Sequence, residues 1–156
     1  MSTWIKMLPV ENATGSLKEA YDLAKTPAGT VDNVMRIHSL RPHTMVGHLM
    51  LYRSVLHHQE NTLPLWFLEA VGVFTSLLNN CEYSFTHHST NLRRLLNDDE
   101  RFGIIENALR CHTLDAAFSG KELALMRYTE KLTISPGEVE ATDVEDAKSE
   151  GATEGE

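Results

Sequence analysis

The chain has 156 residues, 42% of them hydrophobic and 23% charged, with a formal net charge of −8. This suits one domain with a core of its own and excludes wholesale disorder. The acidic balance excludes nucleic acid as the main partner, because phosphate binding needs a cationic surface, and no run of about twenty apolar residues marks a membrane span.

Helix signals follow one another along the chain. Leu17, Ala20, Tyr21 and Ala24 recur at helical spacing after Gly15-Ser16, which predicts a first helix ending near Lys25. Pro27-Ala-Gly-Thr30 reads as a turn. Residues 34–40 suit a short helix stopped at Arg41-Pro42, since the residue before proline avoids helical angles. Pro42 fits the first turn of a longer helix reaching about residue 59, with Met45, Leu49, Tyr52 and Leu56 as one apolar stripe. After Asn61-Thr-Leu-Pro64, residues 65–78 are apolar on nearly every face apart from Glu69, Thr75 and Ser76. Such a helix belongs in the middle of a bundle or in a subunit interface.

Asn79-Asn80 breaks this helix, and Cys81 opens another that runs to about Leu96. Asn97-Asp98-Asp99 stops that one and starts a helix over residues 100–112. Ser119-Gly-Lys-Glu122 reads as a capping box for a helix carrying Leu123, Leu125, Met126 and Leu132, ended by Ser135-Pro-Gly137. Thr142-Asp-Val-Glu145 reads as a second box for a short last helix. Residues 148–156 are a polar, acidic tail without an apolar anchor, expected to be mobile. With no strand pattern, repeat or linker, the expectation is a single all-α domain over residues 1–147. The first residues lack the basic and apolar stretches of a leader, so a soluble, cytoplasmic protein is expected.

Cys81 and Cys111 make neither a disulfide framework nor a zinc-type pair, and buried, inert thiols are the default for both. Ile104, Ile105 and Ala108 place Cys111 in the core. The eight histidines include His43 and His48, five apart, and the adjacent His57 and His58. None forms a metal-ligand pattern, so surface or packing roles are expected, with no metal.

Chemistry concentrates between Glu69 and His88. Positions 81, 84 and 88 are separated by three and four, so Cys81, Ser84 and His88 stack on one helical face. Cys81 falls in the first turn, where free N–H groups and the helix dipole favour a thiolate. His88 offers an imidazole on the same face, while His87 points about 100° away. Glu69 is the only ionisable residue of its apolar helix and needs a partner once buried. Together the four make a candidate proton relay. The same spacing arises by chance in many helices, and context decides between the two. Trp66, Glu82 and Tyr83 suit either a pocket wall or helix packing.

That context is a resemblance. The stretch resembles the active-site signature of the alkylhydroperoxidase D-like, carboxymuconolactone decarboxylase-type family: Glu, eleven residues, Cys, two residues, Cys, three residues, His. Glu69, Cys81 and His88 match it, and Asn80-Cys-Glu-Tyr83 resembles its peroxidase-related branch. So do Asn33-Val-Met-Arg36 with Ser39-Leu-Arg-Pro42, and residues 123–133, so that the likeness spans residues 6–150. The resemblance implies a helical bundle that assembles into homo-oligomers, trimers or hexamers. It implies a second cysteine that attacks a hydroperoxide and a first that closes a disulfide, which an external thiol reductant reopens. The glutamate and histidine carry protons, and no metal, flavin or haem cofactor is implied.

Ser84 departs from the pattern, since it stands where the peroxide-attacking cysteine belongs. A serine oxygen does not cycle through a sulfenic state. An engineered substitution, natural divergence and a shift of the peroxidatic role to Cys81 all remain open. The family also continues with a further apolar helix where this chain has its acidic tail, which bears on oligomeric state more than on fold. The functional expectation is a thiol-dependent, peroxidase-like oxidoreductase impaired by Ser84. The alternatives are a carboxymuconolactone decarboxylase-like lyase using Glu69 and His88, and a non-catalytic oligomeric binding protein.

Overall fold

The computed structural model describes residues 3–156, and among them every regular element is helical. The helices gather into two compact units, divided along the chain between Gln59 and Glu60, just before the Asn61–Pro64 punctuation.

The first unit holds α1 (Gly15–Ala24), α2 (Asn33–Arg36) and α3 (Pro42–His57). The stripe Leu17, Ala20, Tyr21 and Ala24 is buried against Met35, Met45 and Leu49. Tyr21 donates its hydroxyl proton to Leu8 O at 2.7 Å, and Leu8 N donates to Ser39 Oγ at 3.0 Å, which ties down the segment before α1. α2 is shorter than expected because tighter i→i−3 bonds, His38 N to Met35 O and Ser39 N to Arg36 O, take over after Arg36. His48 pairs with His38: Nδ1 of His48 lies 3.0 Å from Nε2 of His38. Thr44 spends its one proton on Arg41 O (2.8 Å), so its oxygen accepts from His38 Nδ1 at 2.9 Å. His38 therefore carries its proton on Nδ1, and its Nε2 accepts from His48.

The second unit holds α4 (Leu65–Leu78), α5 (Glu82–Leu96), α6 (Asp99–Cys111), α7 (Gly120–Ile134) and α8 (Ala141–Ser149). α4 is central. Its Phe67, Ala70, Val73 and Phe74 form the core with Leu92 of α5, Ile105 and Leu109 of α6, Met126 of α7, and Leu114 and Phe118 from the segment between α6 and α7. Every residue of α4 is buried or half-buried within this unit. Of the two places expected for it, the middle of a bundle or a subunit interface, α4 takes the first, covered by α5, α6 and α7. Large exposed apolar side chains lie on other helices, among them Met50, Leu51 and Val55 of α3, Ile104 of α6 and Leu132 and Ile134 of α7.

Both expected capping boxes fail as read. Ser119 is the N-cap of α7 but its hydroxyl makes no cap bond. Gly120 follows it in the left-handed region at φ +51°, which turns the serine off the line to the third amide. For α8 the box sits two residues earlier. Glu140 accepts from the backbone of Asp143, and Asp143 Oδ2 accepts from Glu140 N at 2.7 Å. Lys131 of α7 reaches Asp143 at 2.6 Å, which selects that aspartate over Glu145 as the box partner. The tail has a polar anchor in place of an apolar one: the Glu156 carboxylate accepts from Thr153 N, Lys121 Nζ and Thr62 Oγ1, each within 2.9 Å.

Candidate active site

α4 and α5 are consecutive antiparallel neighbours joined by a tight turn in which Asn80 takes φ +52°. On α4, positions 69, 72 and 76 share a face, as do 84, 88 and 91 on α5. The two stripes meet. Gly72 makes the close approach possible, because a Cβ there would lie 2.6 Å from His88 Nδ1. With only hydrogen in that place, the imidazole lies across α4 and reaches Glu69, whose Oε2 is 2.6 Å from Nδ1. Asn91 Nδ2 donates to the other carboxylate oxygen, Oε1, at 3.3 Å.

Glu69 is 1% exposed, whereas the His88 side chain is 22% exposed. A carboxylate buried this fully needs its donors, and removing one partner of such a pair costs about 3–5 kcal/mol. With Nδ1 bound to Glu69, Nε2 is the ring nitrogen left to a reactant. The pair has the geometry of an oriented acid–base group, a histidine backed by a carboxylate.

Ser84 turns to α4. Its Oγ lies 2.8 Å from Ser76 Oγ, which lies 2.6 Å from Gly72 O. Ser76 has one hydroxyl proton, and both Gly72 O and Ser84 Oγ accept from it. Cys81 sits at the N-cap of α5 and is exposed. Its N–H donates to Ser76 O at 2.9 Å. Ser76, Cys81, Glu82, Phe85, Thr86 and Arg110 line an open cleft of about 400 Å³.

The four residues expected from sequence are thus divided. Glu69 and His88 are bonded directly, and Ser76 touches both Ser84 and, through its carbonyl, Cys81. Among the described residues no hydrogen bond joins Cys81 or Ser84 to His88. The default of buried thiols is corrected, because both cysteines are exposed. The core stripe of α6 runs through Ile105, Ala108 and Leu109, and Cys111 at the end of the helix lies off it, 3.7 Å from Asn107 Oδ1. Of the aromatic and acidic candidates, Glu82 lines the cleft, Trp66 lies under the Arg101 guanidinium, and Tyr83 packs on His87.

Sequence reasoning missed Gly72, Ser76 and Asn91. Their signal was the spacing itself: 69, 72 and 76 form a polar and small stripe on an otherwise apolar helix, and 91 continues the 84 and 88 series. Among the described residues no three His, Cys, Asp or Glu side chains gather as a metal site would require.

No protein-family model matches the chain, and no curated protein matches it. Solved structures do. An uncharacterized peroxidase-related protein with an alkylhydroperoxidase core from Ralstonia eutropha is similar at a TM-score of 0.78 and 19% identity, over 97% of this chain and 77% of that one. An uncharacterized peroxidase-related protein from a Silicibacter species is similar at a TM-score of 0.73 and 20% identity, over 88% of this chain and 69% of that one. At these identities the likeness is one of fold, and the chain is an all-α protein with the alkylhydroperoxidase D-like fold.

Proposed function

We propose that the chain is a thiol-dependent, peroxidase-like oxidoreductase acting on hydroperoxides, with Cys81 as the only sulfur at its site and turnover held low by Ser84. The observation that supports this reading is an exposed thiol at the N-cap of α5, the helix that also carries His88, whose imidazole is bonded to the buried Glu69 of α4. The Cys81 thiolate attacks the terminal peroxide oxygen and the O–O bond breaks. Sulfur becomes a sulfenic acid, and the leaving alkoxide takes up a proton as alcohol. An external thiol reductant supplies the two electrons that restore the thiol. Without sulfur at position 84 no neighbouring thiol closes a disulfide. The reaction then stops after one equivalent unless the reductant reaches the sulfenic acid. Self-association, as a trimer or hexamer, belongs to this reading. The exposed apolar side chains of α3 support it in place of α4.

The test is stoichiometric. One equivalent of an organic hydroperoxide should remove the Cys81 thiol faster than it removes Cys111, and Ser84→Cys with a dithiol reductant should turn over orders of magnitude faster. Equal reactivity of both cysteines and of both chains would sink the reading. A second reading has one observation in its favour: the Glu69–His88 pair is complete without any sulfur. Turnover of a carboxymuconolactone by the chain as it stands would select that lyase reading, and absence of both activities would select a binding protein.

A further inference from the structure

We propose that Asn91 is a positioning residue for the Glu69–His88 pair, holding the carboxylate so that His88 keeps its proton on Nδ1 and presents a bare Nε2. This rests on the reading of that pair as the proton carrier of the site. Glu69 has two oxygens and, in this fold, one donor for each: His88 on Oε2 at 2.6 Å and Asn91 on Oε1 at 3.3 Å. Solvent does not stand in for either, because the glutamate is 1% exposed. A carboxylate oxygen only accepts, so Asn91 presents its amide nitrogen to it. Positions 88 and 91 lie three apart on α5, which brings both donors to one carboxylate.

The proton inventory shows what Asn91 decides. With both oxygens satisfied the carboxylate stays charged, accepts from Nδ1–H, and leaves Nε2 with its lone pair outward. Without the donor on Oε1, a buried oxygen loses its partner, and the pair takes up one proton from solvent, held at the carboxylate. The carboxylic acid then donates to Nδ1, and the ring proton moves to Nε2. The bond between Glu69 and His88 survives in both states, but the polarity of the pair is reversed. A base becomes a donor at the same atom.

The experiment reads the ring nitrogens of His88 in nitrogen-15-labelled protein at about pH 7, where a protonated and a bare nitrogen are distinct. The unaltered chain should show a bare Nε2. Asn91→Leu, similar in size and without a donor, should shift the ratio of bare to protonated Nε2 by at least about tenfold toward Nε2–H with a bare Nδ1. Asn91→Gln, which keeps a carboxamide on the same face, should restore most of it. A bare Nε2 in folded Asn91→Leu overturns the proposal. Should that variant not fold, the unaltered chain decides: Asn91 amide protons protected from exchange support the bond, and exchange at the rate of free asparagine overturns it. Neither readout uses peroxide. An unreactive Cys81 would therefore remove the proposed function and leave this inference standing.

Discussion

Gly72→Ala is the sharpest probe of how α4 and α5 hold the site. In an ordinary helix interior this change stabilises by about 1 kcal/mol. Here the new Cβ would meet His88 Nδ1 at 2.6 Å and both Cγ and Cε1 at 2.8 Å. Carbon contacts relax at about 3.5–4.0 Å, so the ring must retreat by about 1 Å. That stretches the 2.6 Å bond to Glu69 beyond hydrogen-bonding reach. Overpacking costs about 1–3 kcal/mol and a lost bond to a charged group about 1.5–3 kcal/mol. After the helix gain, the net loss is about 2–5 kcal/mol, which lowers Tm by about 4–20 °C for a chain of this size. Thermal and urea unfolding measure it, and a double-mutant cycle assigns it. In a His88→Ala background the clash partner is gone, so the same substitution should become neutral or stabilising, with a coupling above about 1.5 kcal/mol. A Gly72→Ala chain as stable as the original, or one equally weakened with and without the imidazole, would refute the reasoning.

Three further outcomes follow from the network. Ser76→Ala removes the side chain bonded to Ser84 and should cost about 1 kcal/mol in urea unfolding, while leaving the Glu69–His88 bond visible in the His88 Nδ1–H resonance. Burial, and then the charge of His48, hold His38 below the usual imidazole value of 6.5. The unfolded chain therefore takes up the proton first, so this stabilisation is complete above pH 6.5 and is lost as pH falls through the lowered value of His38. His38→Asn should flatten that slope in thermal unfolding followed against pH. Glu156 is held at about 2 by the Thr153 backbone amide, Lys121 and Thr62, so its contribution is present above pH 4.5 and fades on acidification toward 2. Glu156→Gln should lower Tm at neutral pH and leave it unchanged at pH 2; an equal loss at both would contradict the tether.

The helices were legible because apolar spacing and punctuation agree in this chain. The stripe at Leu17, Ala20, Tyr21 and Ala24 is buried as spaced, and Pro42 and Pro64 stand at helix starts. Caps were less legible. Ser119 and Thr142 fit the pattern of a box, but a left-handed glycine disables the first and a lysine from another helix relocates the second. At the site, the motif pointed to Glu69 and His88, and these are bonded. It pointed also to a common face for Cys81, Ser84 and His88, and here side-chain chemistry decides. A serine finds the nearer hydroxyl, Ser76, which no spacing rule within α5 contains. Spacing puts Gly72 on the stripe with Glu69 and Ser76, but its role lies in what a missing carbon allows, and the facing ring reveals that.

Glu69, Ser76, Cys81, Ser84, His88 and Asn91 belong to two consecutive helices and the short turn between them, Leu65–Leu78 and Glu82–Leu96. Contacts between neighbours in sequence close at little entropic cost, so this hairpin has low contact order and suits early formation in folding. The chemistry is therefore written into one short, contiguous stretch of chain. Changes in the helices that flank it, or in the first unit, can alter solubility, assembly or access while the proton pair is inherited intact.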